Sequence, residues 1–87
     1  MNRNESKQWL IDHIEENKEE FCSASLDIWN HPELALQEHF AAETLTKLLE
    51  SNGFRVQRGV AGMPTAFVAE YGEGRPVIGF SAEYDAL

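Results

Sequence analysis

This chain has little cysteine, little proline and few basic residues: one Cys, three Pro, and seven Lys and Arg together. With Cys22 alone, no internal disulfide can form and no Cys-x-x-Cys pair exists to hold zinc. Those seven basic residues face 15 acidic ones, for a net charge of -8. Such a balance excludes a nucleic-acid backbone as partner, and equally an anionic membrane surface, because both need clustered Lys and Arg. No apolar run approaches the ~20 residues of a membrane span. The start, Met1-Asn2-Arg3-Asn4-Glu5, lacks the apolar core of a signal peptide, so a cytoplasmic protein is expected. Gly72-Glu73-Gly74 stands between two strand-like runs rather than before a helix, which rules against a phosphate loop. Ser81 has no Gly-x-Ser-x-Gly elbow around it. His13, His31 and His39 include no pair at i, i+4, so a complete metal site is not expected within the chain.

What is present is an ordinary globular composition, 43% hydrophobic and 25% charged, in 87 residues. That length makes a single small domain, with little interior to stabilise it. From Asn4 or Glu5, apolar residues recur at three- and four-residue spacing through Leu10, Ile11, Ile14, Phe21, Leu26, Ile28 and Trp29. The spacing predicts one long amphipathic helix that stops near Asn30, since Pro32 disfavours helical geometry at His31. Cys22, Trp9 and Trp29 are expected to pack inside it, His13 to lie on its surface, and Glu15-Glu16 with Glu19-Glu20 to form its solvated face. After a turn at His31-Pro32-Glu33-Leu34, Leu34 and Leu36 are expected to tuck under the helices. The His31 ring should bond a nearby carbonyl. A second helix is predicted from about Glu38, with Phe40, Ala41, Leu45, Leu48 and Leu49 on one face, closing at Asn52-Gly53.

The hydrophobic period then changes to two. Phe54 to Arg58 reads as a half-exposed strand and Thr65 to Tyr71 as a second. Pro76 opens a third through Val77, Ile78 and Phe80, an unbroken apolar run of the kind buried at the centre of a sheet. The second and third strands are expected to pair antiparallel across Gly72 to Arg75. The predicted fold class is α/β: two N-terminal helices followed by three strands. Glu83 and Asp85 follow the last strand, at the edge where open α/β sheets gather ligands. At i, i+2 they project to one side if the backbone stays extended. They could form a metal ligand with its support, or an acid/base pair, or simply cap a turn and face water.

Several stretches together resemble a known family. Ile28-Trp29-Asn30-His31-Pro32-Glu33-Leu34, Glu38, and Asn52-Gly53-Phe54-Arg55-Val56 are similar to the start of the two-metal amidohydrolases and metallopeptidases. Gly62-Met63-Pro64-Thr65-Ala66-Phe67-Val68-Ala69-Glu70-Tyr71-Gly72, with Glu83-Tyr84-Asp85-Ala86-Leu87, resembles their aminobenzoyl-glutamate-hydrolysing branch. The resemblance covers nearly everything from Trp9 onward. It implies that residues 1–87 form a single partial domain, the start of a zinc-peptidase-like catalytic domain. The whole enzyme would carry two divalent ions, zinc or manganese, and act on small acylated amino acids. The family's His-x-Asp at the end of its third strand, a metal-binding His held by the Asp, corresponds here to Glu83-Tyr84-Asp85. Asp85 then inherits the supporting role and is the catalytic-site candidate, while Glu83, in place of the His, is the candidate metal ligand. The family's other ligands and its general base have no counterpart in these residues. The expectation is therefore a segment of a metal-dependent amidohydrolase of acyl-glutamate amides that binds no metal and turns nothing over by itself. The rival expectation is a small non-catalytic α/β module that works by self-association, a homo-oligomer.

Overall fold

The computed structural model describes residues 1–86; Leu87, which closes the Glu83 to Leu87 stretch, lies outside the described residues. The element order is α1 (Arg3–Glu16), α2 (Lys18–Trp29), α3 (His39–Ser51), β1 (Arg55–Arg58) and β2 (Phe67–Glu70), with a short 3-10 turn at Val60–Gly62. The α/β class holds, with three helices and a two-stranded antiparallel sheet among the described residues.

The expected long first helix is broken into α1 and α2 at Asn17. Its φ and ψ of -108° and 9° leave the helical range, and its side-chain Nδ2 donates to the His13 carbonyl at 2.8 Å. Asparagine competes for backbone groups in this way, which is why it ends helices more readily than it sits inside them. The start also lies earlier than the sequence predicts: Asn2 caps α1 by accepting the Glu5 N–H at 2.9 Å.

The packing centre is α3. It lies against α2 on one side and against both strands on the other. Ala41 and Thr46 on α3 are 2% and 1% exposed. The Thr46 hydroxyl satisfies itself by donating to the Ala42 carbonyl at 2.7 Å. Gly53, at φ 87°, turns the chain out of α3, and the Phe54 N–H closes the end by donating to the Leu49 carbonyl at 3.0 Å. The strands pair from Arg55 opposite Glu70 to Arg58 opposite Phe67. Arg58 also grips α3, donating from both terminal guanidinium nitrogens, Nη1 and Nη2, to the Glu50 carboxylate at 3.1 and 2.7 Å. That contact lowers the Glu50 pKa and raises that of Arg58.

Several expectations need correction. The third strand is not formed: the described residues from Pro76 onward have no regular structure. The second predicted strand pairs with the first instead. Gly72 and Gly74, at φ 82° and 87°, turn the chain away, and among the described residues no strand lies beside residues 76–80 to accept a ladder. Val77 and Phe80 are consequently 85% and 93% exposed. Cys22 is exposed because the α2 face turned to α3 runs through Ala24 and Ile28, about 100° per residue around the helix. Trp9, Trp29, Leu34 and Leu36 are also exposed. α1 packs on α2, and a protein this small has too little mass to cover its outer stripe. Among the described residues no helix is long and apolar enough to cross a membrane.

Candidate functional site

The two acids singled out from sequence do come to one place. Glu83 and Asp85 sit with Tyr84 and Ala86 along a cleft of about 620 Å³, whose other wall is built from Ile28, Trp29 and Leu45 on α2 and α3. Both acids are exposed, while Tyr84 and Ala86 are half-buried. The cleft is mostly apolar, with the carboxylates as its charged portion. An open, mostly apolar groove with carboxylates at its rim can contact an apolar group beside a cationic one.

Tyr84 ties this segment to the sheet. Its phenol donates to the carbonyl of Thr65, and its ring stacks on Phe67 with centroids 6.1 Å apart. Thr65 itself is only 4% exposed. Its hydroxyl lies 3.5 Å from the Glu38 carboxylate, whose other oxygen accepts the Leu36 N–H at 3.0 Å.

One further carboxylate escaped sequence reasoning. Glu33 accepts the N–H groups of Phe40 and Ala41 at 2.9 and 3.1 Å, so it caps α3 from well before the helix begins. Those bonds favour its charged form, and the Phe40 N–H is the main cause of its lowered pKa. The only hint in the sequence was an acid after Pro32, too far from the helix to read as a cap. Next to it, the His31 ring stacks on Phe40 with centroids 3.9 Å apart and bonds the Asp27 carbonyl at 2.7 Å. The sequence-based reading of His31 is therefore sound: it is a structural clasp between α2 and α3. His13 stacks on Trp9 of α1, away from the acids.

The donors themselves decide whether these residues fit a metal. Among the described residues, no three His, Cys, Asp or Glu side chains gather closely enough to hold an ion. Glu83 and Asp85 offer two carboxylates where a catalytic zinc takes three protein ligands. The described residues do not fit a complete metal centre, and no chemical step runs through one here.

No protein-family profile matches the chain. Individual relatives do. The chain is 42% identical over 80 residues to a subunit of the p-aminobenzoyl-glutamate hydrolase of Escherichia coli (strain K12), covering 92% of this chain and 17% of that protein. The Xaa-Arg dipeptidase of Mus musculus is 35% identical over 91 residues, covering 93% of this chain and 21% of the relative. Over this stretch the chain is similar to hydrolases of the amidohydrolase/peptidase family. The Homo sapiens Xaa-Arg dipeptidase is 38% identical over 88 residues, covering 85% and 20%. The chain thus spans about a fifth of the length of these relatives. The resemblance carried by the His31-Pro32-Glu33-Leu34 and Glu83-Tyr84-Asp85 stretches agrees with this family. The structure adds what two of those residues do: Glu33 caps a helix and Tyr84 anchors the acid pair.

Proposed function

We propose that this chain forms the opening part of the catalytic domain of a cytoplasmic, metal-dependent amidohydrolase that cleaves N-acyl amino-acid bonds of the acyl-glutamate type. In that role α3 and the hairpin are scaffold. In the whole enzyme Glu83 would be one of several ligands to a divalent zinc or manganese ion, and Asp85 would orient a neighbouring ligand. Metal-assisted hydrolysis takes three or more protein ligands, of which these residues would supply one carboxylate and its support. By itself the chain hydrolyses nothing. The observation that carries this reading is the 42% identity to the E. coli hydrolase, together with the placement of both acids on one cleft.

Two assays test it. The pure chain, given p-aminobenzoyl-glutamate with zinc or manganese, should release no more product than buffer. A chimera carrying residues 1–87 in place of the matched segment of the E. coli relative should be active. Asp85→Asn in that chimera should lower activity by roughly 10- to 100-fold, the usual effect of losing a group that orients a metal ligand. Full activity of the Asp85→Asn chimera would remove Asp85 from the site, and turnover by the 87-residue chain would end the claim of inactivity.

A specific observation also favours a second reading, in which the chain acts through self-association. A folded monomer of this mass exposes about 5,200 Å², whereas this chain exposes 7362 Å². The excess of roughly 2,000 Å² is more than the ~800 Å² each partner buries in a standard interface. Much of it is apolar, including Leu10, Ile11 and Ile14 on α1 and Val77, Ile78 and Phe80 after β2. Light scattering distinguishes the readings: a strict monomer at high concentration is incompatible with this one.

A further inference from the structure

We propose that Tyr84 is a positioning residue, a latch that fixes where Glu83 and Asp85 stand on the cleft. Its functional meaning rests on the reading of those acids given above, but the latch itself is a property of this chain. Residues 76–86 belong to no ladder, and among the described residues no backbone-to-backbone hydrogen bond outside the helices and strands reaches them. A free run of this kind has many conformations, and ordering it needs specific contacts. Tyr84 provides two of different kinds, the phenol on the Thr65 carbonyl and the ring on Phe67.

The acceptor is well chosen for the purpose. Thr65 is buried, and the turn around it is closed by the Ala66 N–H donating to Met63 at 3.0 Å and the Gly59 N–H donating to Ala66 at 2.8 Å. The Thr65 carbonyl is therefore a fixed point at the entrance to β2. Glu83 and Asp85 are the residues on either side of Tyr84, so one anchor sets both carboxylates. A capped turn would have no use for a tyrosine between the acids, donating back to the buried turn that leads into β2.

Proteolysis of the intact chain by a Glu-specific protease tests this, since cleavage tracks how often a segment opens. Tyr84→Phe keeps the ring and removes only the donor. Cleavage after Glu83 should then rise about three- to tenfold, the equivalent of one lost hydrogen bond. Cleavage after Glu50 in α3, and after Glu73 in the exposed turn, should not change. Tyr84→Leu removes both contacts and should raise cleavage after Glu83 by about thirtyfold. In NMR relaxation, the amide order parameters of residues 83–86 should fall below about 0.6 in Tyr84→Phe, against values near 0.8 in the parent chain. The proposal is overturned if Glu83 cleavage in Tyr84→Phe stays within twofold of the parent. An equal rise at Glu50 also overturns it, because that would show general loosening. None of these readings needs activity, so an inactive chimera leaves the latch result standing, and a failed latch leaves the chimera result standing.

Discussion

Two apolar stretches of this chain meet opposite fates. Phe40, Ala41, Leu45, Leu48 and Leu49 on α3 are all half-buried or buried, while Val77, Ile78 and Phe80 are largely exposed. By composition the second is the stronger candidate for an interior. The difference lies in neighbours. α3 satisfies most of its backbone internally, with Glu33 taking two N–H groups at its start, and the side-chain contact it needs comes from α2 and the hairpin. A strand cannot satisfy its backbone alone, and among the described residues no strand stands beside residues 76–80. Apolar residues without a partner strand remain in water, however suited they are to a sheet.

The largest test of this contrast is to overfill the buried side. Ala41→Leu places extra methylenes where Ala41 is nearly inaccessible, and should destabilise the fold by about 1–3 kcal/mol in urea unfolding. Phe80→Ala, at a far larger side chain, should change stability by under about 0.5 kcal/mol in a monomeric sample. Equal losses from the two variants would erase the distinction.

Next in size is the cap that starts α3. Glu33→Gln keeps one acceptor but loses the charge facing the helix N-terminus, and should lower the Tm at pH 7 by about 5 °C. The sign of the pH effect follows from the lowered pKa of Glu33. Its folded value lies below its unfolded one, so its stabilisation is complete above the unfolded pKa. It is lost as pH falls through the folded value. The gap between parent and Glu33→Gln melting temperatures should therefore close in acid; a gap that widens there would show that Glu33 is not held as a carboxylate.

The smallest effect belongs to the surface clasp between α3 and β1. Arg58→Lys cannot reproduce the two-pronged contact with Glu50, and should lower the Tm by about 1 °C, less in about 1 M salt. A drop as large as that of Glu33→Gln would mean that the hairpin depends on this pair more than on its packing against α3.

Much of the fold was legible because some signals are local. Apolar spacing marks α3, Asn52-Gly53 marks its end, and the alternation from Phe54 to Arg58 marks β1. The break at Asn17 was not legible, because the same residue is tolerated in helices when nothing competes for it. Of the candidate site, the acid pair could be picked out as residues. Its setting could not, since Tyr84 reaches Thr65 across 19 positions of sequence and Glu33 reaches Ala41 across eight.

The sequence by itself determined α3, the β1 and β2 segments, the excess of negative charge and the acid pair Glu83 and Asp85, because each depends on near neighbours or on composition alone. Tertiary structure decided which apolar residues are inside, which strands pair, that residues 76–80 form no strand, and that one tyrosine holds both acids against a cleft. Those outcomes depend on what lies beside a residue in space, and a backbone or a carboxylate takes its partner from there.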